Sequence, residues 1–367
     1  MPRSAHLVVS ISSHGYGHAA QVLPVIALLR RRIPGLRVSL RTALPRQLLE
    51  ARLGTGWDYL AETGDFGMIM KSAVEVRVDE SAAAYRAFHC NWDRKVTAEA
   101  QRLRALAPDL VLADIAYLPL AGAAAAGIPA VALCCLNWAD IYRHYCGAQP
   151  EAPAIVDQML AAYNSAAAFL QIEPSMPMPG IRNGRPAGVI AQLGVDRRAE
   201  LDARLRLGRN RRLIVITLGG IPLPLDLNCW PRLPGVHWVG DRDIAGARAD
   251  IVSIDTLGIT FPDLLRSCDA LVTKPGYGIF AEAACNGVPL LYIRRPDWPE
   301  EPVLVRWLNG HARSLEITRD QLERGDIGDA LAALWSAPRP PSVVPLGIAQ
   351  TASYLAQWLA RNDGPGA

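Results

Sequence analysis

Short apolar runs alternate with helical periodicities along most of this chain. The first run, Leu7 to Ile11, precedes a stretch with helical spacing from about Gly17 to Arg32 and a second run at Leu36 to Leu40. Short apolar runs predict buried strands, and apolar positions three or four residues apart predict helices. The resulting β-α-β order predicts a parallel sheet with helices on both faces.

The same alternation continues to the end of the chain. In the first half it predicts strands at Asp109 to Ala113 and Ala130 to Cys135, and helices at Leu118 to Ala126 and Ile155 to Ala168. The second half predicts a similar series, with strands at Leu213 to Leu218, Val236 to Val239, Ala270 to Thr273 and Pro289 to Ile293, and helices at Pro262 to Ser267 and Ile279 to Asn286. Both halves therefore show one α/β architecture.

The segment 173–188 separates the two series. It reads EPSMPMPGIRNGRPAG, is rich in Pro and Gly and has no periodicity, which is typical of a linker. A chain of 367 residues also exceeds the size at which a single core usually stops growing. We therefore expect two Rossmann-like, doubly wound parallel-sheet domains facing a cleft, at 1–172 and 189–345. A final helix within 346–367 is expected to return to the first domain.

Composition excludes several classes of protein. A net charge of +3 with 20% charged residues is too mild for a nucleic-acid partner. The seven cysteines include no C-x-x-C pair, so we expect free thiols and no zinc site. The N-terminal residues lack the apolar core of a signal peptide, and the uncharged stretch from Ile115 to Ala139 is interrupted by prolines and glycines. A cytoplasmic protein is expected.

The loop after the first strand holds the first candidate site. It reads SSHGYGHAA and contains His14, Gly15, Gly17 and His18. A helix start after a Gly-rich loop presents free N–H groups to a polar ligand, and either histidine is a candidate general base. Asp114 ends another predicted strand at the same edge of the sheet, where it would orient the imidazole or cap the next helix.

The same loop also matches a dinucleotide-binding fingerprint. Gly15, Gly17 and Ala20 fit G-x-G-x-x-A, which requires an acid about 20 residues later at the end of the second strand. This chain has Leu40-Arg41-Thr42 there instead. An NADP-dependent oxidoreductase is therefore the weaker alternative.

The second half contains a candidate site for a nucleotide. The sequence Lys274-Pro275-Gly276-Tyr277-Gly278 leads into a helix with Glu282 in its second turn. A helix N-terminus can hold a diphosphate, and a carboxylate one turn later can accept from both ribose hydroxyls. The expected ligand-binding residues are Gly219, Gly220, Lys274, Gly276, Tyr277, Gly278, Glu282, Asp297 and Glu301. Gly219-Gly220 also fits a simple tight turn, and Glu282 a solvated helix position.

Several motifs together resemble the GT-B glycosyltransferases. They are GYGH, PDLVLAD followed by AAAAGIP, LNWADIY, KPGYGIFAEA and VPLLYIRRPDWPEEP, and they extend over nearly the whole chain. The chain looks most like the glycosyltransferase-like N-terminal half of L-arabinokinases. More distantly it resembles the lipid-linked N-acetylglucosaminyltransferase of peptidoglycan synthesis and plant UDP-glycosyltransferases.

The resemblance implies roles for individual residues. His18 would be the base, Asp114 its partner and Glu282 the ribose ligand, with His14, Gly15 and Gly17 in an acceptor-side loop. It implies an inverting transfer from a nucleotide-sugar donor, with UDP as the expected nucleotide and without metal or cofactor. The domain at 1–172 would bind an unidentified acceptor and the domain at 189–345 the donor.

Three further expectations come with the resemblance. Asp297, Glu300 and Glu301 stand where the relatives place an acid and glutamine or paired glutamines, which leaves the donor sugar open. A non-catalytic nucleotide-sugar sensor or partner subunit is the alternative function. The basic helix end at Arg30 to Arg32 and the lipid-linked acceptor of one relative suggest peripheral contact with the inner face of a membrane.

Overall fold

The computed structural model describes residues 4–208, 210–219, 225–241 and 248–361. They form two compact units, of which unit 1 comprises Met1–Ile190 and Leu346–Ala367 and unit 2 comprises Ala191–Pro345. Each unit contains one sheet, and every strand pairing within both sheets is parallel. The predicted α/β class with two parallel-sheet domains is confirmed.

Unit 1 is built on a seven-stranded sheet with the order β3-β2-β1-β4-β5-β6-β7. Its strands are β1 His6–Ile11, β2 Arg37–Arg41, β3 Asp58–Leu60, β4 Leu110–Asp114, β5 Ala130–Cys134, β6 Ala168–Ile172 and β7 Gly184–Ala187. Its helices are α1 Tyr16–Arg32, α2 Arg46–Leu53, α3 Val78–His89, α4 Trp92–Leu106, α5 Tyr117–Ala126, α6 Trp138–Cys146, α7 Ala152–Ser165 and α14 Gly347–Arg361. All residues of β1, β4 and β5 are buried, as expected of central strands with helices on both faces.

Unit 2 has a six-stranded sheet with the order β10-β9-β8-β11-β12-β13. Its strands are β8 Arg212–Ile216, β9 Val236–Gly240, β10 Ile251–Ser253, β11 Ala270–Thr273, β12 Leu290–Tyr292 and β13 Ser314–Glu316. Its helices are α8 Arg198–Arg204, α9 Phe261–Ser267, α10 Tyr277–Asn286, α11 Glu301–His311, α12 Arg319–Arg324 and α13 Gly328–Ser336. Short 3₁₀ turns occur at Leu227–Cys229 and Ile254–Thr256.

The segment 173–188 was predicted to be a linker, but its last part belongs to the first sheet. Residues Gly184–Ala187 form β7, which pairs with β6 at the edge of the first sheet. The strand contains Pro186, and proline is tolerated on an edge strand because its missing N–H can lie on the unpaired side. The division between the units therefore falls after Ile190.

The last helix, α14, packs against α1 within unit 1. Arg32 donates to Ser353 Oγ at 2.9 Å, and the Gly188 N–H donates to Gln350 Oε1 at 2.7 Å. Arg30 donates to the carbonyls of Thr55 and Gly56. Two of the three arginines that suggested membrane contact thus have partners inside the unit. Among the described residues, no helix combines the length and apolarity that crossing a bilayer requires.

Candidate functional site

The first loop joins β1 to α1 at the carboxyl edge of the unit 1 sheet. Gly15 precedes the helix with φ +135°, a conformation that favours glycine. Among the described residues, no side chain caps the start of α1, and its first turn contains no acid. His14 is half-buried, Gly17 is exposed, and His18 lies in the first turn of the helix. The free N–H groups at this helix start are suited to a polar ligand.

His18 and Asp114 form a hydrogen-bonded pair. His18 Nδ1 lies 3.0 Å from Asp114 Oδ1, and the exposed fractions of the two residues are 7% and 0%. Asp114 ends β4, directly beside the end of β1 in the parallel register. The helix-cap alternative for Asp114 is wrong, because α5 begins after Ala116 and has no side-chain cap. The bond to Nδ1 leaves Nε2 as the second nitrogen for a ligand.

The Asp114 carboxylate sets the protonation of His18. Burial alone would lower the pKa of His18, but the charge and hydrogen bond of Asp114 raise it well above the ordinary value. The carboxylate therefore stabilises the imidazolium form and orients the ring. An imidazole with a raised pKa accepts a proton readily and is in its neutral form only at higher pH.

The structure adds Asp65, which no pattern in the sequence indicated. Trp138 Nε1 donates to Asp65 Oδ2 at 2.6 Å, and the Trp138 ring lies 5.0 Å from the His14 ring and 6.1 Å from the His18 ring. Asn137 caps α6 by accepting from the Asp140 N–H, which places Trp138 at the helix start. Burial raises the pKa of Asp65 to about 6, against the opposing effects of Trp138 and His18. A second carboxyl group thus belongs to the His18 site.

Gly67, two residues after Asp65, lies against the side chain of His14. It has φ +65°, and a Cβ there would lie 2.6 Å from His14 Nδ1. The sequence Asp65-Phe66-Gly67 lies between β3 and α3, in a stretch without helical or strand periodicity. No local pattern could have placed it beside the first loop.

Gly67→Ala is expected to lower the free energy of unfolding by more than Gly127→Ala does. Gly127 has a similar φ of +70°, but a methyl group added there would meet nothing within 4 Å, so it isolates the backbone cost of about 1–2 kcal/mol. At Gly67 the methyl group must also displace His14, for which we expect about 1–3 kcal/mol more. Urea unfolding of both variants measures the difference. Equal losses would show that His14 does not pack against Gly67 in solution.

Cys134 completes a buried group around His18. One potential ligand atom each from His18, Asp114 and Cys134 lies within 4.8 Å of the others, an arrangement that could hold a metal ion. No metal site was expected from the sequence. Nitrogen, carboxylate and thiolate ligands together suit zinc, but an ion bound here would replace the proton shared by His18 and Asp114.

In unit 2, Gly219 and Lys274 meet at the carboxyl edge of the sheet. Gly219 follows β8 with φ +81°, and a Cβ there would lie 3.8 Å from Lys274 Nζ. Lys274 follows β11, which neighbours β8. Gly276 precedes α10, Tyr277 and Gly278 begin it, and in the described residues no side chain caps this helix start. The predicted site residue Gly220 lies outside the described residues.

Lys274 is one of two neighbouring cations. Burial and the charge of Arg295 lower the pKa of Lys274 to about 8, against the opposing charge of Glu300. The Arg295 guanidinium lies 3.8 Å from the centre of the Trp298 ring, and Trp298 Nε1 donates to Glu300 Oε2 at 3.1 Å. Arg295 and Glu300 are buried. A lysine shortly before an uncapped helix start, with a second cation near it, is chemically suited to binding an anion.

The remaining predicted residues differ in their surroundings. Glu282 lies in α10 with an exposed fraction of 2%. Asp297 is exposed in the loop after β12. Glu301 is fully buried, and its carboxylate accepts from Nε and Nη2 of Arg294 and from the Arg295 N–H. Glu301 thus holds this loop together, which differs from the ligand-binding role that was expected from the sequence.

Comparisons with known proteins relate this geometry to solved structures. The calicheamicin glycosyltransferase CalG4 matches with a TM-score of 0.60 at 18% identity, covering 98% of this chain and 99% of that one. The glycosyltransferase VinC in complex with dTDP matches with a TM-score of 0.61 at 17% identity, covering 97% and 100%. The chain has the GT-B fold.

Further comparisons give another solved structure and one relative in sequence. The Arabidopsis thaliana protein UGT89C1, complexed with UDP, matches with a TM-score of 0.57 at 14% identity over 98% of this chain and 99% of that one. The L-arabinokinase of Arabidopsis thaliana is 24% identical over 337 residues, or 88% of this chain. This chain spans only 31% of the length of that protein. No family model matches the chain.

Proposed function

We propose that this GT-B protein is a glycosyltransferase that moves a sugar from a nucleoside diphosphate to an acceptor hydroxyl or amine. The observation that carries the proposal is the buried His18–Asp114 pair at the carboxyl edge of the first sheet. Ligands of open α/β sheets bind at that edge. The GT-B neighbours include glycosyltransferases solved with dTDP and UDP, which supports a nucleotide-sugar donor.

In the proposed reaction, His18 Nε2 takes the proton of the acceptor as its oxygen or nitrogen attacks the anomeric carbon. The bond from that carbon to the diphosphate breaks as the new bond forms, so the configuration inverts. Asp114 stabilises the imidazolium that results. Lys274, Arg295 and the start of α10 would stabilise the negative charge on the departing diphosphate without a metal ion.

Calorimetric titration with UDP, dTDP, GDP and NADP tests the donor site. We expect one nucleoside diphosphate to bind and Glu282→Ala to weaken it roughly tenfold or more, because each hydrogen bond from a ribose hydroxyl to a carboxylate contributes about 1.5–3 kcal/mol. Glu323→Ala, on the exposed face of α12, is the matched control. Binding of NADP alone would favour an oxidoreductase. Nucleotide binding without turnover of any acceptor would favour the sensor function.

Asp65→Asn is expected to lower kcat/KM for the acceptor about tenfold and to leave nucleotide affinity unchanged. Asparagine keeps an oxygen for Trp138 Nε1 but removes a negative charge whose field acts on His18. The pKa of His18 should therefore fall, and the acidic limb of the pH–kcat/KM profile should move to lower pH.

Asp58→Asn provides the control for Asp65→Asn. Asp58 is an exposed carboxylate of β3 that pairs with Arg37 in the same unit. Asp58→Asn should change neither kcat/KM nor the position of the acidic limb of the pH–kcat/KM profile. An Asp65→Asn profile that matches wild type would remove Asp65 from the site.

A further inference from the structure

Unit 2 contains a cavity of about 390 Å³ at the edge of its sheet opposite Lys274. The cavity wall includes the residues that precede or begin β8, β11, β12 and β13, among them Arg212, Asp269 and Arg313. Arg266 of α9 and Arg339, which follows α13, complete it. Lys274 and Gly219 follow the strands instead. The cavity is therefore separate from the proposed donor site.

The cavity wall carries an excess of positive charge. It contains four arginines, Arg212, Arg266, Arg313 and Arg339, against two acids, Asp196 and Asp269. Asp269 is already occupied, since Arg198 and Arg212 each form an ion pair with it at 2.5 and 2.8 Å. The other three arginines form no ion pair with any residue of the described chain.

Each of these three guanidinium groups donates a hydrogen bond to a backbone carbonyl. Arg266 Nη1 donates to Asn286 O at 2.7 Å, Arg339 Nη2 to Gly287 O at 3.3 Å and Arg313 Nη1 to Trp335 O at 3.2 Å. A guanidinium carries five N–H donors in a planar fork, so most of the donors remain for a ligand. Several such forks around one cavity match the oxygens of phosphate or carboxylate groups.

The Gly287 position brings two of these arginines together. A Cβ on Gly287 would lie 2.7 Å from Arg339 Nη2 and 3.8 Å from Arg266 Nη1. Both guanidinium groups thus converge on the carboxyl end of α10, where Gly287 takes φ +71°. The absence of a side chain at Gly287 leaves room for both guanidinium groups beside each other.

We propose that this cavity binds a small phosphorylated molecule at a site separate from the donor site. Its volume lies within the range of small-molecule sites, about 300–1,000 Å³. The guanidinium groups of Arg266 and Arg339 converge at Gly287, and Arg313 lies in the same cavity wall, so the cavity favours a compact polyanion. Trp335, with the Arg212 guanidinium 4.9 Å from its ring centre, supplies one flat wall.

Titration with inorganic pyrophosphate tests this site. Because pyrophosphate would also bind beside Lys274, the measurement uses Lys274→Met, which removes one of the two cations of the proposed donor site and so weakens binding there. We expect pyrophosphate binding to persist in Lys274→Met and to weaken roughly tenfold or more when Arg266→Gln and Arg339→Gln are added. Arg319→Gln, an exposed arginine of α12 paired with Glu323, is the matched control and should bind as its parent does.

Several results of this titration would overturn the proposal. Loss of all pyrophosphate binding in Lys274→Met would show that the donor site is the only one and would overturn it. Unchanged affinity after the two arginine substitutions would also overturn it. Because Arg339 is exposed, Arg339→Gln alone should fold, and it replaces the combined variant in the titration if that variant does not fold. Citrate in place of pyrophosphate should bind more weakly, and equal binding would contradict the assignment to phosphate.

Discussion

His18→Ala is expected to lower the turnover number by about two to four orders of magnitude, the contribution of a positioned general base. Affinity for the nucleoside diphosphate should stay within about twofold, because the proposed donor residues belong to unit 2 and His18 to unit 1. Steady-state kinetics with calorimetric titration of the nucleotide measures both quantities. His144→Ala, an exposed histidine of α6, is the matched control.

The pH dependence provides a second test of His18. Since the pKa of His18 is raised by Asp114, the neutral base forms only as the pH rises through that raised value. The acidic limb of kcat/KM should therefore lie above the ordinary histidine pKa of about 6.5. Asp114→Asn removes the charge that raises the pKa, so it should move the limb to lower pH while lowering the rate. Retained turnover in His18→Ala would remove His18 from the mechanism.

The His18 assay also distinguishes base catalysis from a metal-dependent reaction. His18, Asp114 and Cys134 could together hold a zinc ion, which would occupy the atoms that share the proton. We expect Zn²⁺ to inhibit and a chelator to leave the rate unchanged. Activation by Zn²⁺ would assign the three residues to a metal centre.

Lys274→Met is expected to weaken nucleoside diphosphate binding roughly ten- to hundredfold. A hydrogen bond to a charged group contributes about 1.5–3 kcal/mol, which corresponds to this range. Methionine preserves the length of the side chain and removes its charge. Calorimetric titration measures the loss, and Lys71→Met, an exposed lysine of unit 1, is the control.

The pKa of Lys274 predicts the direction of the pH effect. Because that pKa is about 8, the ammonium that would bind the diphosphate is lost as the pH rises from 7 to about 9.5. Nucleotide affinity should fall over this interval in the wild type and stay nearly constant in Lys274→Met. An affinity that does not change with pH, with wild-type binding in Lys274→Met, would place the diphosphate elsewhere.

Most of the central architecture could be predicted from the sequence. Apolar runs marked β1, β4, β5, β8 and β11 to within one or two residues, because strands covered on both faces are apolar throughout. The surface helices α3 and α4 and the edge strand β7 were not predicted. The buried positions of α3 and α4 are mostly small or polar residues, and only one residue of β7 is buried, so few large apolar side chains mark these elements.

The sequence by itself determined where the first site residues lie. Asp114 ends a buried strand, His18 and Lys274 come shortly after buried strands, and in each parallel sheet the carboxyl ends of the strands share one edge. The tertiary structure alone decided that Asp65 contacts Trp138, 73 positions later, and that Arg294 pairs with Glu301. It also decided that arginines from four separate segments surround one cavity. These contacts depend on how loops without periodicity pass over the sheets, and burial favours such pairings only once the chain has folded.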